Sequence, residues 1–322
     1  MRTPVVVVGA GIAGVACARE LVRAGIPVTV IDRGRRIGGR MAVRRFEDRP
    51  VDLGASYLTA DDPAFLDVVE EWRDRGLAAP WTDRFTVLSP DGSRTTTGPV
   101  RWGAPGGLRS LVEDLAEGLE VVHQEVSQVI RDAEGLRVDA HPADAVVLAM
   151  PDAQAGRLLG GELSRHRDQL DRPSEPVLAV VARFAAHTWD DRSPDGRFHG
   201  AFVHDDDVLA WVADDGRRRG DDAPVLVAHT TPAFAARHLN DPAAAGPEVV
   251  TALCGLLDLP DPLDVHVHRW SLARPTGRRD APYLLTDDGL GVCGDGWGHP
   301  PRVQTAWLSG RALGRTLVER LG

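Results

Sequence analysis

The sequence contains no lysine; all 37 of its basic residues are arginine. That absence removes lysine as a nucleophile, Schiff-base former or catalytic base. Cysteine is scarce as well: Cys17, Cys254 and Cys293 are an odd number, widely spaced, with no CxxC pair. The pattern suits a reducing cytoplasm better than a disulfide framework. Cys17 and Cys293 read as small core residues. No apolar run reaches the length of a membrane span. The net charge of −10 argues against a nucleic-acid partner. Internal repeats and low-complexity linkers are missing too. His266 and His268 share a strand face at i, i+2, but no third ligand cluster accompanies them, so no metal is expected.

What is present is organised around Pro4 to Arg40. Val5 to Val8 is a short apolar run that reads as a buried parallel strand. Gly9-Ala10-Gly11-Ile12-Ala13-Gly14 follows at once, then an apolar-periodic segment from Val15 to Ala24. Val28 to Ile31 is a second β-branched run, closed by Asp32. Strand, glycine turn, helix, strand and acid within about thirty residues is the dinucleotide-binding βαβ pattern. Gly9 permits the tight turn, Gly11 lets backbone approach a pyrophosphate, and Gly14 lets the helix pack near the strand. The N–H groups opening the helix at Ile12 and Ala13 would face phosphate oxygens. Asp32 stands where a carboxylate accepts from a ribose diol. The apolar start is therefore expected to belong to the folded protein rather than to a signal peptide.

With 322 residues, 43% of them hydrophobic, the chain is long enough for two medium domains. Val51 to Tyr57 reads as a strand running into a glycine turn. Pro63 to Arg75 reads as an amphipathic helix, and Phe85 to Thr97 as a hairpin around Ser89-Pro90-Asp91-Gly92. Gly106-Gly107 would let backbone lie against a flat ligand. A helix is expected to about Gly118. Short strands are expected at Val121-Val122, Val126 to Ile130, Leu136 to Asp139 and Ala145 to Ala149. From Pro176 to Trp270 the pattern becomes mainly antiparallel sheet, with helices at Pro232 to Leu239 and Pro247 to Leu257. The charged stretch Asp214 to Asp222 reads as an exposed hairpin tip. Leu290 to Trp297 reads as a buried strand that delivers Gly294-Asp295, and a helix is expected from about Val303.

Arg36-Ile37-Gly38-Gly39-Arg40, placed directly after the second strand, resembles the amine-oxidase-like FAD flavoproteins. So does Asp52-Leu53-Gly54-Ala55-Ser56-Tyr57. With Arg101-Trp102, Pro105-Gly106-Gly107, His229-Thr230-Thr231, His268-Arg269-Trp270, Ala273-Arg274-Pro275, Gly294-Asp295 and Arg302-Val303, nearly the full length resembles the bacterial renalase-like flavoproteins. The resemblance implies an α/β fold: a Rossmann-type FAD-binding domain with a second, mainly antiparallel β-sheet substrate domain, in the amine-oxidase and p-hydroxybenzoate-hydroxylase-like topology. Residues 1–60, 98–172 and 275–322 would form the first domain, and 61–97 with 173–274 the second.

It also implies noncovalent FAD. Gly9, Gly11, Ile12, Ala13, Gly14, Asp32 and Arg33 would contact it, as would Gly39 and Arg40 at the pyrophosphate. Gly54, Ala55, Ser56 and Gly106 would lie near the flavin, and Val126 near the adenine. Gly294 and Asp295 would meet the ribityl hydroxyls, with Arg302 and Val303 at the helix start facing the ring. Ala42 and Val43 replace a small hydroxyl residue common in the family, and Gln304 and Thr305 stand where relatives carry Glu and Gly; Gln304 would be near the flavin. The implied activity is oxidation of the 2- and 6-dihydro isomers of NAD(P)H to NAD(P)+, with O2 reduced to H2O2, by a cytoplasmic monomer or homodimer. His229, Tyr57, Trp270 and Arg274 are the expected substrate-side residues. His229 could equally be a core histidine, and Arg274 could meet a phosphate or lie at the surface. Two other readings stand beside this one: oxidation of a different small molecule, such as an amine or a natural-product intermediate, and a non-enzymatic FAD-binding redox or interaction protein.

Overall fold

Four consecutive valines, Val5–Val8, form the strand at the centre of the first sheet. β-Branched side chains suit a strand covered on both faces. Val5 and Val7 point into one core with Leu21, Leu111 and Trp307; Val6 and Val8 point into another with Ile31, Val129 and Leu163. The computed structural model describes residues 3–322. Its first sheet has six strands in the order Leu284–Leu285, Leu290–Val292, Ala145–Leu148, Val5–Val8, Val28–Asp32, Val121–His123. All pairings are parallel except that of Leu284–Leu285. A three-stranded antiparallel sheet, Val129–Asp132, Gly135–Val138 and His141–Ala143, covers one face. Helices Ile12–Arg23, Arg109–Leu115 and Val303–Leu321 cover the other. The first and last of these pack backbone to backbone: a Cβ on Gly310 would lie 1.9 Å from the Ala13 carbonyl oxygen.

The second sheet has seven strands, ordered Asp264–Pro275, Ser174–Arg183, Val225–Thr230, Leu209–Asp214, Gly200–Val203, Ala79–Ser89, Gly92–Gly103. Only the Gly200–Val203 and Ala79–Ser89 pair is parallel. Leu178, Val180 and Ala182 face helices Pro232–Arg237 and Gly246–Leu257. Val181, Val225 and Val227 face the other way, onto Val51 and Leu53. Period-two alternation thus presses one face of the second sheet against the strand Arg49–Asp52, which leads into Gly54 to Tyr57. The fold is an α/β domain of Rossmann type joined to a second, mainly antiparallel sheet, as expected.

Several expectations need correction. Strand Gly92–Gly103 runs through the boundary placed at 97/98. Helix Pro63–Asp74, expected with the substrate domain, buries Phe65, Val69 and Trp72 in the core of the first sheet, where Phe65 meets Trp307 at 5.3 Å. Its apolar face found the larger partner. The strand expected at Val126 to Ile130 is displaced to Val129–Asp132, because backbone N–H groups of Ser127 and Gln128 are taken by the Asp139 carboxylate. The strand expected to reach Trp297 ends at Val292, as Gly294 turns out of extended geometry at φ 147°.

The Asp214 to Asp222 stretch is the largest departure. Asp215–Arg219 is a short helix capped by the Asp214 carboxylate, which accepts from the Arg217 N–H at 2.8 Å. Asp215 is 0% exposed, Arg218 3% and Arg219 8%. Their charges are neutralised by one another and by Asp52 and Arg49, which are distant in sequence, rather than by water.

Candidate functional site

The turn after Val5–Val8 brings two glycine loops together. Gly9, Gly11 and Gly14 enclose the start of helix Ile12–Arg23, and no side chain caps that helix at Gly11. A Cβ on Gly39 would sit 3.3 Å from the Gly11 Cα, and the Gly39 backbone has φ 53°. The Gly38 N–H donates to the Ala10 carbonyl at 2.9 Å. Asp32 ends its strand beside this cradle; its carboxylate accepts from the Ala10 N–H at 2.6 Å and the Gly34 N–H at 2.7 Å. One lone pair on each oxygen remains for a ribose hydroxyl. An uncapped helix start, a side-chain-free cradle and a placed carboxylate fit a dinucleotide cofactor.

Arg40 and Asp295 meet across this region. The guanidinium binds the carboxylate in a fork at 2.5 and 2.9 Å and also donates to the Ala273 carbonyl at 3.1 Å. The two residues expected at the pyrophosphate and the ribityl chain therefore hold each other. They border a cavity of about 10 Å³, room for about one water. A larger surface groove of about 270 Å³ lies among Arg19, Glu20, Arg75, Asp114 and Trp307 and contains none of the expected site residues.

From Arg40 the chain contacts the Gly54 to Tyr57 segment directly. The Ala55 N–H donates to the Arg40 carbonyl at 2.9 Å, and a Cβ on Gly54 would meet that oxygen at 1.9 Å. Only glycine fits there. The Trp270 indole N–H donates to the Leu53 carbonyl at 2.8 Å, which stands its ring against Gly54. His229 lies two strands from Trp270 in the same sheet, paired with Trp211 and Ala179. Burial pushes its pKa down to about 4, the Arg218 charge adds to the fall, and a hydrogen bond to the Leu53 backbone partly opposes it. Its Nε2 is buried with no hydrogen-bond partner. At neutral pH His229 is thus an uncharged imidazole.

The Trp211 indole donates to the Ser56 hydroxyl at 3.0 Å, and Arg218 donates to the Ser56 carbonyl at 2.7 Å. Arg218 also binds Asp215 in a very short contact. Arg219 reaches Asp52 at 2.9 Å and the carbonyls of Ala104 and Pro105 at 3.1 and 3.2 Å. Asp52 accepts in turn from the Leu108 N–H at 2.8 Å. Burial raises the Asp215 pKa, but Arg218, Arg219 and Arg49 together hold it below the usual carboxylate range. Burial dominates at Asp52 and lifts its pKa, against the pull of Arg218 and Arg219. Tyr57 stands in a ring cluster with Phe85 at 5.4 Å, Trp211 at 5.9 Å and Trp81 at 6.2 Å.

The structure gathers Gly9 to Gly14, Asp32, Gly39, Arg40, Gly54, Ala55, Ser56, Gly294 and Asp295, with Tyr57, His229 and Trp270 on the sheet side. Gly294 is held there by its N–H to the Ser309 hydroxyl at 3.0 Å. Other expected residues are occupied elsewhere. Arg33 is exposed and pairs with Glu125 at 4.0 Å. Arg274 is exposed and pairs with Glu175 at 2.7 Å, which favours its surface role. Arg302 caps Val303–Leu321 by its backbone while its side chain binds Asp61 at 2.6 Å. Val126 is buried in the apolar core, and Gly106 abuts Ser110. Gln304, expected near the flavin, instead accepts from the Asp61 and Asp62 N–H groups at 2.8 and 3.1 Å. Sequence reasoning missed Arg218, Arg219 and Asp215, whose charge run resembled a solvated loop, and Trp81 and Trp211, which carry no local signal; Arg101 it found only as part of a motif. Among the described residues no His, Cys, Asp and Glu cluster has metal-binding geometry, and no helix is long and apolar enough to cross a membrane.

Fold and site together define a flavoprotein oxidoreductase. A family model described as flavin containing amine oxidoreductase matches residues 77–313, and one described as NAD(P)-binding Rossmann-like domain matches residues 7–72. The chain belongs to the flavin-containing amine oxidoreductase family, and its cofactor is FAD. Putrescine oxidase of Kocuria rosea is 34% identical over 110 residues, 34% of this chain and 22% of that protein. A putative flavin-containing monoamine oxidase of Mycobacterium tuberculosis is 45% identical over 67 residues, 21% of this chain and 15% of that protein. The matched stretches therefore span about a fifth or less of those relatives. Among solved structures, a putative protoporphyrinogen oxidase from Exiguobacterium sp. 255-15 superposes with TM-score 0.81 at 15% identity over 99% of each chain. Cyclohexylamine oxidase from Brevibacterium oxydans IH-35A superposes at 0.78 with 14% identity over the whole of both. These likenesses concern the fold.

Proposed function

We propose that this chain is a renalase-like oxidase that removes hydride from the 2- and 6-dihydro isomers of NAD(P)H. The net reaction is dihydronicotinamide plus O2 plus a proton, giving NAD(P)+ and H2O2. Bound FAD supplies the two-electron acceptor and returns the electrons to O2. The observation that carries the reading is the enclosed Nε2 of His229, which has no hydrogen-bond partner. An imidazole whose pKa is about 4 is a poor base at neutral pH, and the chain has no lysine. Asp52 and Asp215 are committed to Arg218 and Arg219. A dihydropyridine becomes aromatic by losing hydride alone, so it needs no base. Arg40, Asp32, Asp295 and the glycine loops would hold the cofactor. Trp270 and Tyr57 would wall the substrate, and the neutral His229, whose other ring nitrogen meets the Leu53 backbone, would offer the Nε2 lone pair to a carboxamide N–H. Residues 1–60, 104–172 and 276–322, with helix Pro63–Asp74, would form the cofactor side.

The names of relatives such as putrescine oxidase favour amine oxidation as the rival. Anaerobic mixing decides between them. Borohydride-reduced NAD+, which contains the dihydro isomers, is added to the yellow protein and bleaching is followed. We expect it to bleach the flavin much faster than ordinary 4-dihydro NADH, putrescine or benzylamine. Bleaching by an amine with none by the isomer mixture would overturn the assignment.

A further inference from the structure

Arg101 is buried to 7% exposure, yet it makes no ion pair among the described residues, and its Nη1 is enclosed without a hydrogen-bond partner. Its side chain hydrogen-bonds the Tyr57 hydroxyl, but burying a guanidinium without a counter-charge is unfavourable, and native structures rarely tolerate it without a purpose. Its plane lies 4.3 Å from the Phe85 ring centroid, which recovers part of that cost but satisfies no donor. Asp83, whose charge reaches it, is half exposed and sits beside Arg84.

The atoms around it share the same want. The Trp81 indole nitrogen and the His199 Nδ1 are also enclosed and unpartnered. Trp81 and His199 meet edge to face at 6.2 Å, and Trp81 contacts Phe85 at 5.2 Å. Tyr57 touches both aromatic rings, and the strand carrying Arg101 bridges to Leu58 through Trp102. A guanidinium, an indole N–H and an imidazole nitrogen are thus linked through the Phe85 and Trp81 rings beside the Gly54 to Tyr57 segment, and no carboxylate forms an ion pair with Arg101 or His199 among the described residues. Three unsatisfied nitrogens, one of them permanently cationic, complement oxygen atoms bearing negative charge.

We propose that Arg101, Trp81 and His199 form an anion subsite beside Tyr57, which anchors a carboxylate or phosphate group of the substrate. This specifies the substrate class within the oxidase reading above and rests on it: the substrate carries negative charge, and a plain diamine is disfavoured. The FAD-loaded protein is titrated with benzoate, benzamide, benzylamine and inorganic phosphate, followed by quenching of tryptophan fluorescence. Benzoate should bind at least about tenfold more tightly than benzamide, the worth of one charge-assisted hydrogen bond, and benzylamine more weakly than either. Arg101→Gln should remove that preference while benzamide affinity stays unchanged. Trp81→Phe keeps the ring packing, and it should weaken benzoate alone. Phosphate that displaces benzoate assigns the subsite to a phosphoryl group; failure to displace it assigns a carboxylate. Equal binding of benzoate and benzamide, or wild-type benzoate affinity in both variants, overturns the proposal. The assay needs no turnover, so a flavin that ignores dihydronicotinamides leaves this result standing.

Discussion

Asp215→Asn tests the buried charge cluster most directly. The cluster contains Asp52, Asp215 and Asp221 against Arg49, Arg218 and Arg219, a formal sum of zero. Asparagine keeps the shape of Asp215 but leaves the sum at +1. Arg49 retains Asp221, and Arg219 retains Asp52 with two carbonyls. Arg218 keeps the Ser56 carbonyl and Asp52 at 3.6 Å. One partner of a buried pair is lost while its cations stay buried, a change of about 3–5 kcal/mol. Asp221→Asn is the control: its carboxylate is 40% exposed, so its loss should cost about 0–1 kcal/mol. Equilibrium urea unfolding at pH 7, read by circular dichroism, measures both. Because the folded pKa of Asp215 is lowered, its contribution is complete above the unfolded value near 3.9 and fades as pH falls below it. The gap between wild type and Asp215→Asn should therefore shrink below about pH 4. A variant within about 1 kcal/mol of wild type at pH 7, with the same urea dependence, would refute the view of this cluster as a load on a buried carboxylate.

His229→Ala should slow flavin reduction or raise the substrate KM while FAD stays bound; wild-type reduction kinetics would return His229 to the core. Asp295→Ala should weaken FAD retention by about 1.5–3 kcal/mol, for loss of a charge-assisted acceptor and release of Arg40; dialysis against fixed FAD concentrations gives the affinity, and no change would take Asp295 out of the site. His187 has its pKa raised, chiefly by its hydrogen bond to the buried Asp214. Its stabilising effect is full below the unfolded value near 6.5 and is lost as pH rises through the folded one. His187→Gln should thus cost more stability at pH 5.5 than at pH 8.5, and an equal cost at both would contradict the sign.

The parts of the fold written in local pattern were legible. Val5–Val8, Val225–Thr230 and the helix start at Val303 fall where periodicity and turn residues put them. The hairpin around Asp91-Gly92 formed, although its strands run to Ala79 and Gly103. The glycine cradle was legible because each glycine answers a backbone need a few residues away. Asp214 to Asp222 was not, since a run of opposite charges looks the same solvated or buried until its partners are known. Those partners, Arg49 and Asp52, lie 166 and 167 positions from Asp215 and Arg219. Arg101 was legible only as part of a motif; its missing partner is a property of three-dimensional packing. Arg40 and Asp295 were both assigned to the cofactor, but no local pattern says that two such residues, 255 positions apart, face each other.

The tie between Asp52 and Arg219 also bears on how the chain is made. A ribosome adding about 5–20 residues per second exposes Asp52 roughly ten to thirty seconds before Arg219 emerges. Through that interval Asp52 and Arg49 stay hydrated, because the guanidiniums and the carboxylate that neutralise them do not yet exist. The Leu108 N–H can reach Asp52 earlier, but the Ser56 carbonyl must wait for Arg218. Closing so long a loop yields its contacts only after the entropy is spent. The nascent N-terminal half can therefore lay down four strands of the first sheet while the Gly54 to Tyr57 segment still lacks its supports, and that wall is completed only when the second sheet arrives.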